Sequence, residues 1–167
     1  MSLTRNDADG TVAGTVSGYG QGCSFKNVAK SLTVDSASGV TGIATNNGNF
    51  ALTTTTSGGQ TINQNIGAGT GTIALISAGL INQSGGSLTA AALTGSAGGN
   101  VGFANTNSIG TLLAFGVTGG NFNLVDGGSL SVGGSIGSGT LALDAGTTGM
   151  ARYWFLQAGT QCDLGPG

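Results

Sequence analysis

Histidine is absent from this 167-residue chain, proline occurs once, and the charged side chains number four basic and six acidic. Without histidine, a serine or cysteine nucleophile lacks its usual general base. Residues 36–125 contain no Asp, Glu, Lys, Arg or His at all. Such a stretch cannot supply the basic face that phosphate backbones require, which excludes nucleic acid as a partner. Cleavage of a polysaccharide needs clustered carboxylates, or carboxylates beside Arg or Lys. The central region offers only Asp35, Asp126 and Asp144. Asp126 precedes Gly127-Gly128, a turn signal, and Asp144 follows an apolar Leu143, so the pattern reads them as a turn former and a solvated carboxylate. No catalytic residue, cofactor-binding residue or metal ligand is therefore assigned, and the chain is read as non-enzymatic.

Long apolar runs are lacking too. No segment approaches the roughly 20 apolar residues of a membrane helix, so membrane insertion is not expected. The opening Met1-Ser2-Leu3-Thr4-Arg5-Asn6-Asp7 has no apolar core of a secretory signal, which places any export signal outside this chain. Cysteine is scarce and widely spaced, as Cys23 and Cys162. An elongated stack would hold them beyond the roughly 4.4 to 6.8 Å Cα separation of a disulfide, so free or intermolecular thiols are as consistent as a bridge. The glycine-rich Gly67-Ala68-Gly69-Thr70-Gly71 lacks the Gly-Lys-Ser/Thr ending of a phosphate loop and reads as a turn.

What the chain has in abundance is glycine, 35 residues of it. Glycine also heads a recurring motif of one small polar residue and two apolar residues flanking a third position. The copies are Gly48-Asn49-Phe50-Ala51-Leu52, Gly71-Thr72-Ile73-Ala74-Leu75, Gly99-Asn100-Val101-Gly102-Phe103, Gly120-Asn121-Phe122-Asn123-Leu124 and Gly139-Thr140-Leu141-Ala142-Leu143. The spacings are 23, 28, 21 and 19 residues, with the clearest 21-residue register setting Ser87 to Asn107 above Ser108 to Gly128. A period near twenty means stacked coils. Period-two alternation within each copy is that of a strand with one buried face. The fold expected is therefore all-β, a parallel β-helix (β-solenoid) of about six coils. In-register stacking predicts one core ladder of Phe50, Ile73, Val101, Phe122 and Leu141 and a second of Leu52, Leu75, Phe103, Leu124 and Leu143. Further inward rows are expected from Leu88, Ile109 and Leu130, and from Leu93, Phe115 and Ile136. Asn49, Asn100 and Asn121 fall at corners, where stacked amides can hydrogen-bond along the axis. An antiparallel β-sandwich, with Asn47-Gly48 turning a hairpin, is the alternative.

Composition divides the chain into residues 1–30, an irregular N-terminal cap or linker; 31–149, the repeats; and 150–167, a C-terminal cap or non-repeat tail holding the single Trp and Pro. The run Gly85-Gly86-Ser87-Leu88-Thr89-Ala90 through Asn100-Val101, with Asn107-Ser108-Ile109-Gly110-Thr111-Leu112 and the last two glycine motifs, resembles repeat regions of filamentous-haemagglutinin-like bacterial adhesins. That resemblance covers about residues 31–149. It implies a right-handed parallel β-helix, an extracellular or bacterial cell-surface location, and adhesion, in a fragment or short relative of such a protein. The export domain of that family is not visible here, and two cysteines depart from its usual pattern.

The function expected is a structural or adhesive solenoid segment contacting a host surface or a glycan. A self-assembling fibre subunit, a homo-oligomer built end to end, is the alternative, because solenoid ends expose strand edges. Thr53-Thr54-Thr55-Thr56 and the general hydroxyl richness also admit a glycan- or ice-binding module.

Overall fold

The computed structural model describes residues 2–5, 10–15, 20–146 and 161–164, with Ser2–Arg5 and Gln161–Leu164 described as backbone only. Among these residues there is no helix, and the chain winds as a parallel β-solenoid of about six turns. Each turn is three-sided. Face one stacks Gly10–Val12, Leu32–Val34, Gln60–Ile62, Ile81–Gln83, the start of Val101–Val117, Phe122–Asp126, Thr140–Ala145 and Gln161–Leu164. Face two stacks Gly14–Thr15, Ile43–Ala44, and the first halves of Ile66–Ser77 and Leu88–Ala97. Face three stacks Ser2–Arg5, Cys23–Asn27, Phe50–Thr54, the second halves of the two long strands just named, and the end of Val101–Val117. Every pairing between coils is parallel, and Phe122 lies on Leu141, which disposes of the antiparallel sandwich. The one antiparallel pair among the described residues is a small hairpin, Ser36–Ala37 with Val40–Thr41, set between faces one and two.

All ten residues expected in the two core ladders are buried. Their stacking differs from the expectation in one respect. Ile73 pairs with Leu93 and Leu75 with Gly95, whereas Val101 pairs with Ile81 and Phe122. Each expected ladder is thus two: Phe50–Ile73 and Leu52–Leu75 lie on face three, and Val101–Phe122–Leu141 and Phe103–Leu124–Leu143 on face one. The reason is local. A glycine, a polar residue and alternating apolar residues specify a corner followed by a half-buried strand, and a three-sided coil needs that at more than one corner. The 28-residue interval is therefore one full coil plus one further side. The two other inward rows shift likewise, with Ile109 opposite Ala90 and Leu93 opposite Leu112, while Phe115 does stack on Ile136.

The parallel ladder also reaches N-terminally of residue 31, since Gly10–Val12 and Cys23–Asn27 pair in register with the following coils. At the other end Gln161–Leu164 adds a parallel strand to Thr140–Leu143, while the Met150–Leu156 segment lies outside the described residues.

Why the coils can approach so closely is clearest at one corner. A methyl group at Gly48 would collide with the Gln21 carbonyl and at Gly71 with that of Gly48, so in these two copies the motif's leading glycine is required by backbone contact between successive coils. On the inside, Phe103, Phe115 and Phe122 bring three rings together across faces one and three, with centroids 5.0 to 6.3 Å apart in edge-on arrangements. Phe115 fits because the position opposite it in the preceding coil is Gly95.

The interior is not wholly apolar. On face three the row Asn27, Thr54, Ser77 gives way to Ala97 and Val117; at the end of face one Val12, Val34 and Ile62 give way to Gln83, whose amide bonds that of Asn107 at the adjoining corner of the next coil, and Asn107 in turn lies opposite Asp126. The polar interior thus changes corner midway along the axis.

Candidate functional surface

The acidic residues singled out in the sequence are held apart. Asp126 is buried at the end of its strand, its Oδ2 accepting from the Ile109 N–H at 2.6 Å and its Oδ1 from the Gly128 N–H at 2.9 Å. The carboxylate therefore satisfies one backbone donor of the preceding coil and one of its own turn, the corner role expected of it. Asp144 is exposed and lies opposite Val125, one position out of register with Asp126. Asp35 stands at the base of the small hairpin, far along the chain and several coils away. Its Oδ2 accepts from Asn63 Nδ2 and its Oδ1 from the Ser36 N–H, both at 2.8 Å, and these bonds hold its carboxyl below the usual carboxylate range. Among the described residues, no three His, Cys, Asp or Glu side chains gather where they could hold a metal ion. No described helix is long and apolar enough to cross a membrane.

Cys23 is a free, buried thiol in the inward row of face three, opposite Phe50, and burial pushes its pKa up. Cys162 lies opposite Leu141 on face one at the other end of the stack.

The corner asparagines do bond along the axis, though to backbone and not to one another's side chains. Asn49 Oδ1 accepts from the Thr72 N–H, Asn100 Oδ1 from Asn121 and Asn121 Oδ1 from Thr140, at 2.9 to 3.0 Å. Asn47 and Asn65 do the same for Thr70 and Ser87. A carbonyl oxygen on the side chain thus replaces the ladder partner lost where the chain turns.

The outward positions were the least visible from sequence. Thr53-Thr54-Thr55-Thr56 does not form a hydroxyl array: Thr54 points inward to the Gly58 carbonyl and Ser77, and Thr56 sits in a turn at φ 70°. A threonine column exists elsewhere, on face one, where Thr11, Thr33 and Thr61 stack in register and continue as Asn82, Gly102, Asn123 and Ala142. Its signal in the sequence is a Thr followed by Val or Ile in the first three coils. Shallow grooves among the described residues interrupt the outer surface on two of the faces. One, about 350 Å³, lies on face three beside Ser24, Asn49, Ala51, Thr72 and Ala74. The other, about 470 Å³, lies on face one between Thr61, Leu80, Asn82, Asn100, Gly102 and Asn121. Large apolar side chains that reach solvent among the described residues are Val40, Ile76 and Leu80. Comparison with protein-family models, with curated proteins and with solved structures finds no match to this chain.

Proposed function

We propose that the chain is a non-enzymatic structural or adhesive solenoid segment of a secreted or surface protein, acting through its flat outer faces. The observation that carries this reading is how the polar groups are used. Asp126, Asn107 and Gln83 inside, and Asn47, Asn49, Asn65, Asn100 and Asn121 at the corners, hold neighbouring coils together. What remains for contact is a set of outward rows of Thr, Asn, Ser, Ala and Gly on a rigid frame. The resemblance of the repeats to filamentous-haemagglutinin-like adhesins supports the same class and an extracellular, bacterial setting. Retention of protein-coated beads on matrix-protein and polysaccharide surfaces under flow tests it: retention should vanish when the chain is unfolded. Equal retention of folded and unfolded chain would reject it.

End-to-end assembly into a fibre is the second reading, favoured by Gly10–Val12 and Gly14–Thr15, each of which pairs on one side only among the described residues. Backbone donors and acceptors on the free side offer a template for another strand. Electron microscopy at rising concentration distinguishes the two; monomers throughout count against the fibre.

A further inference from the structure

The groove on face one is floored by a glycine. Along the outward row Thr61, Asn82, Gly102 and Asn123, the side chain drops out at Gly102. Nothing in the fold demands glycine there: it is not among the positive-φ glycines, and a methyl group would come no nearer than 4.0 Å to any neighbour, Asn82 Oδ1. Glycine inside a strand costs roughly 0.5–1 kcal/mol relative to alanine and often marks close approach of another molecule.

The rim carries hydrogen-bonding groups in fixed positions. Asn100 and Asn121 spend their Oδ1 atoms on the Asn121 and Thr140 N–H groups, which orients both amides and leaves their Nδ2 donors without an acceptor among the described residues. Asn82 donates through Nδ2 to Ser84 Oγ at 2.8 Å, leaving its Oδ1 as an acceptor beside Gly102. Leu80, 49 % exposed, forms an apolar wall. Donors, an acceptor and an apolar wall suit a polyhydroxyl ligand.

Charge narrows the class. The groove lies wholly within residues 36–125, which carry no ionisable side chain, so a charged ligand would lose hydration there without a counter-charge. Thr61, Asn82, Gly102 and Asn121 belong to four successive coils, three steps of ~4.8 Å, on the order of 14 Å in all. The geometry points to a subsite for a neutral oligosaccharide of three or four sugar units laid across Gly102. This rests on, and sharpens, the adhesive reading given above.

The test is titration of the full chain with cellotetraose, followed by backbone amide NMR. Saturable shifts at Asn82, Asn100, Gly102 and Asn121 are expected at about 1 mM sugar, and Gly102→Gln should weaken binding at least about tenfold with a melting temperature unchanged or raised. Gly116→Gln, a like change at an open glycine on face three, should leave binding intact. The subsite is refuted if cellotetraose, maltotetraose and chitotetraose all give no saturable shift, if Gly102→Gln binds as well as the native chain, or if a polyanionic tetrasaccharide binds more tightly. Bead retention that survives Gly102→Gln alongside such a result would sink the subsite and leave the adhesive reading standing.

Discussion

Gln83 and Asn107 pair amide to amide inside the solenoid, Gln83 Nε2 donating to Asn107 Oδ1 at 2.9 Å and Asn107 Nδ2 donating to Gln83 Oε1 at 3.2 Å. Asn107 also accepts from the Leu88 N–H and donates to the Val125 carbonyl, so one side chain ties together three coils. In a low-dielectric interior, a group left without its partner costs more than the bond was worth.

Asn107→Ala should therefore destabilise the chain by about 2–4 kcal/mol, because the buried Leu88 N–H loses its acceptor and Gln83 loses one bond at each end of its amide, keeping only those to the Gly86 carbonyl and the Asn105 N–H. In a double-mutant cycle with Gln83→Ala, urea unfolding should give a coupling of about 1–2 kcal/mol. A coupling near zero would mean that the two amides do not meet.

Glycines should divide sharply by position. Gly48→Ala forces a methyl into the Gln21 carbonyl and should cost upwards of about 2 kcal/mol. Gly116→Ala meets nothing within 4 Å and should be neutral or stabilise by up to about 1 kcal/mol, through a less flexible unfolded chain. Thermal melts of the two variants side by side check the difference.

Asp35 makes a prediction about acid. Its folded pKa is lowered by the Asn63 and Ser36 hydrogen bonds, so its stabilising contribution is present above the unfolded value of about 3.9 and is lost as pH falls through the lowered folded value. Since the site is solvent-facing, the effect is small. Asp35→Asn should flatten the acid limb of stability against pH below about pH 4 and leave the neutral range little changed; an unaltered acid limb would show that the bonds do not persist in solution.

The architecture was legible because stacking imposes its period on every coil: Phe50, Ile73, Phe122 and Leu141 all announce buried strands. Which face each strand belongs to was not legible, since Gly71-Thr72-Ile73 and Gly99-Asn100-Val101 are chemically the same corner used at two places on the coil. The corner roles of Asp126 and the asparagines followed from turn chemistry. The threonine column at Thr11, Thr33 and Thr61 was hidden, since outward residues follow no apolar rule and become a row only once the register is known. Gly102 was hidden for a similar reason: in a chain with 35 glycines, a glycine that the backbone does not need looks like one that it does.

The register between faces is the central structural claim, and spin labels read it directly. In a Cys23→Ser, Cys162→Ser background, nitroxides at Ala74→Cys and Thr94→Cys occupy paired positions on adjacent strands of face three, about 4.8 Å apart at the backbone. Nitroxides at Ala74→Cys and Gly102→Cys lie on different faces. Continuous-wave EPR should show strong dipolar broadening for the first pair and much weaker broadening for the second. Strong broadening from 74 with 102 and none from 74 with 94 would contradict the three-sided register.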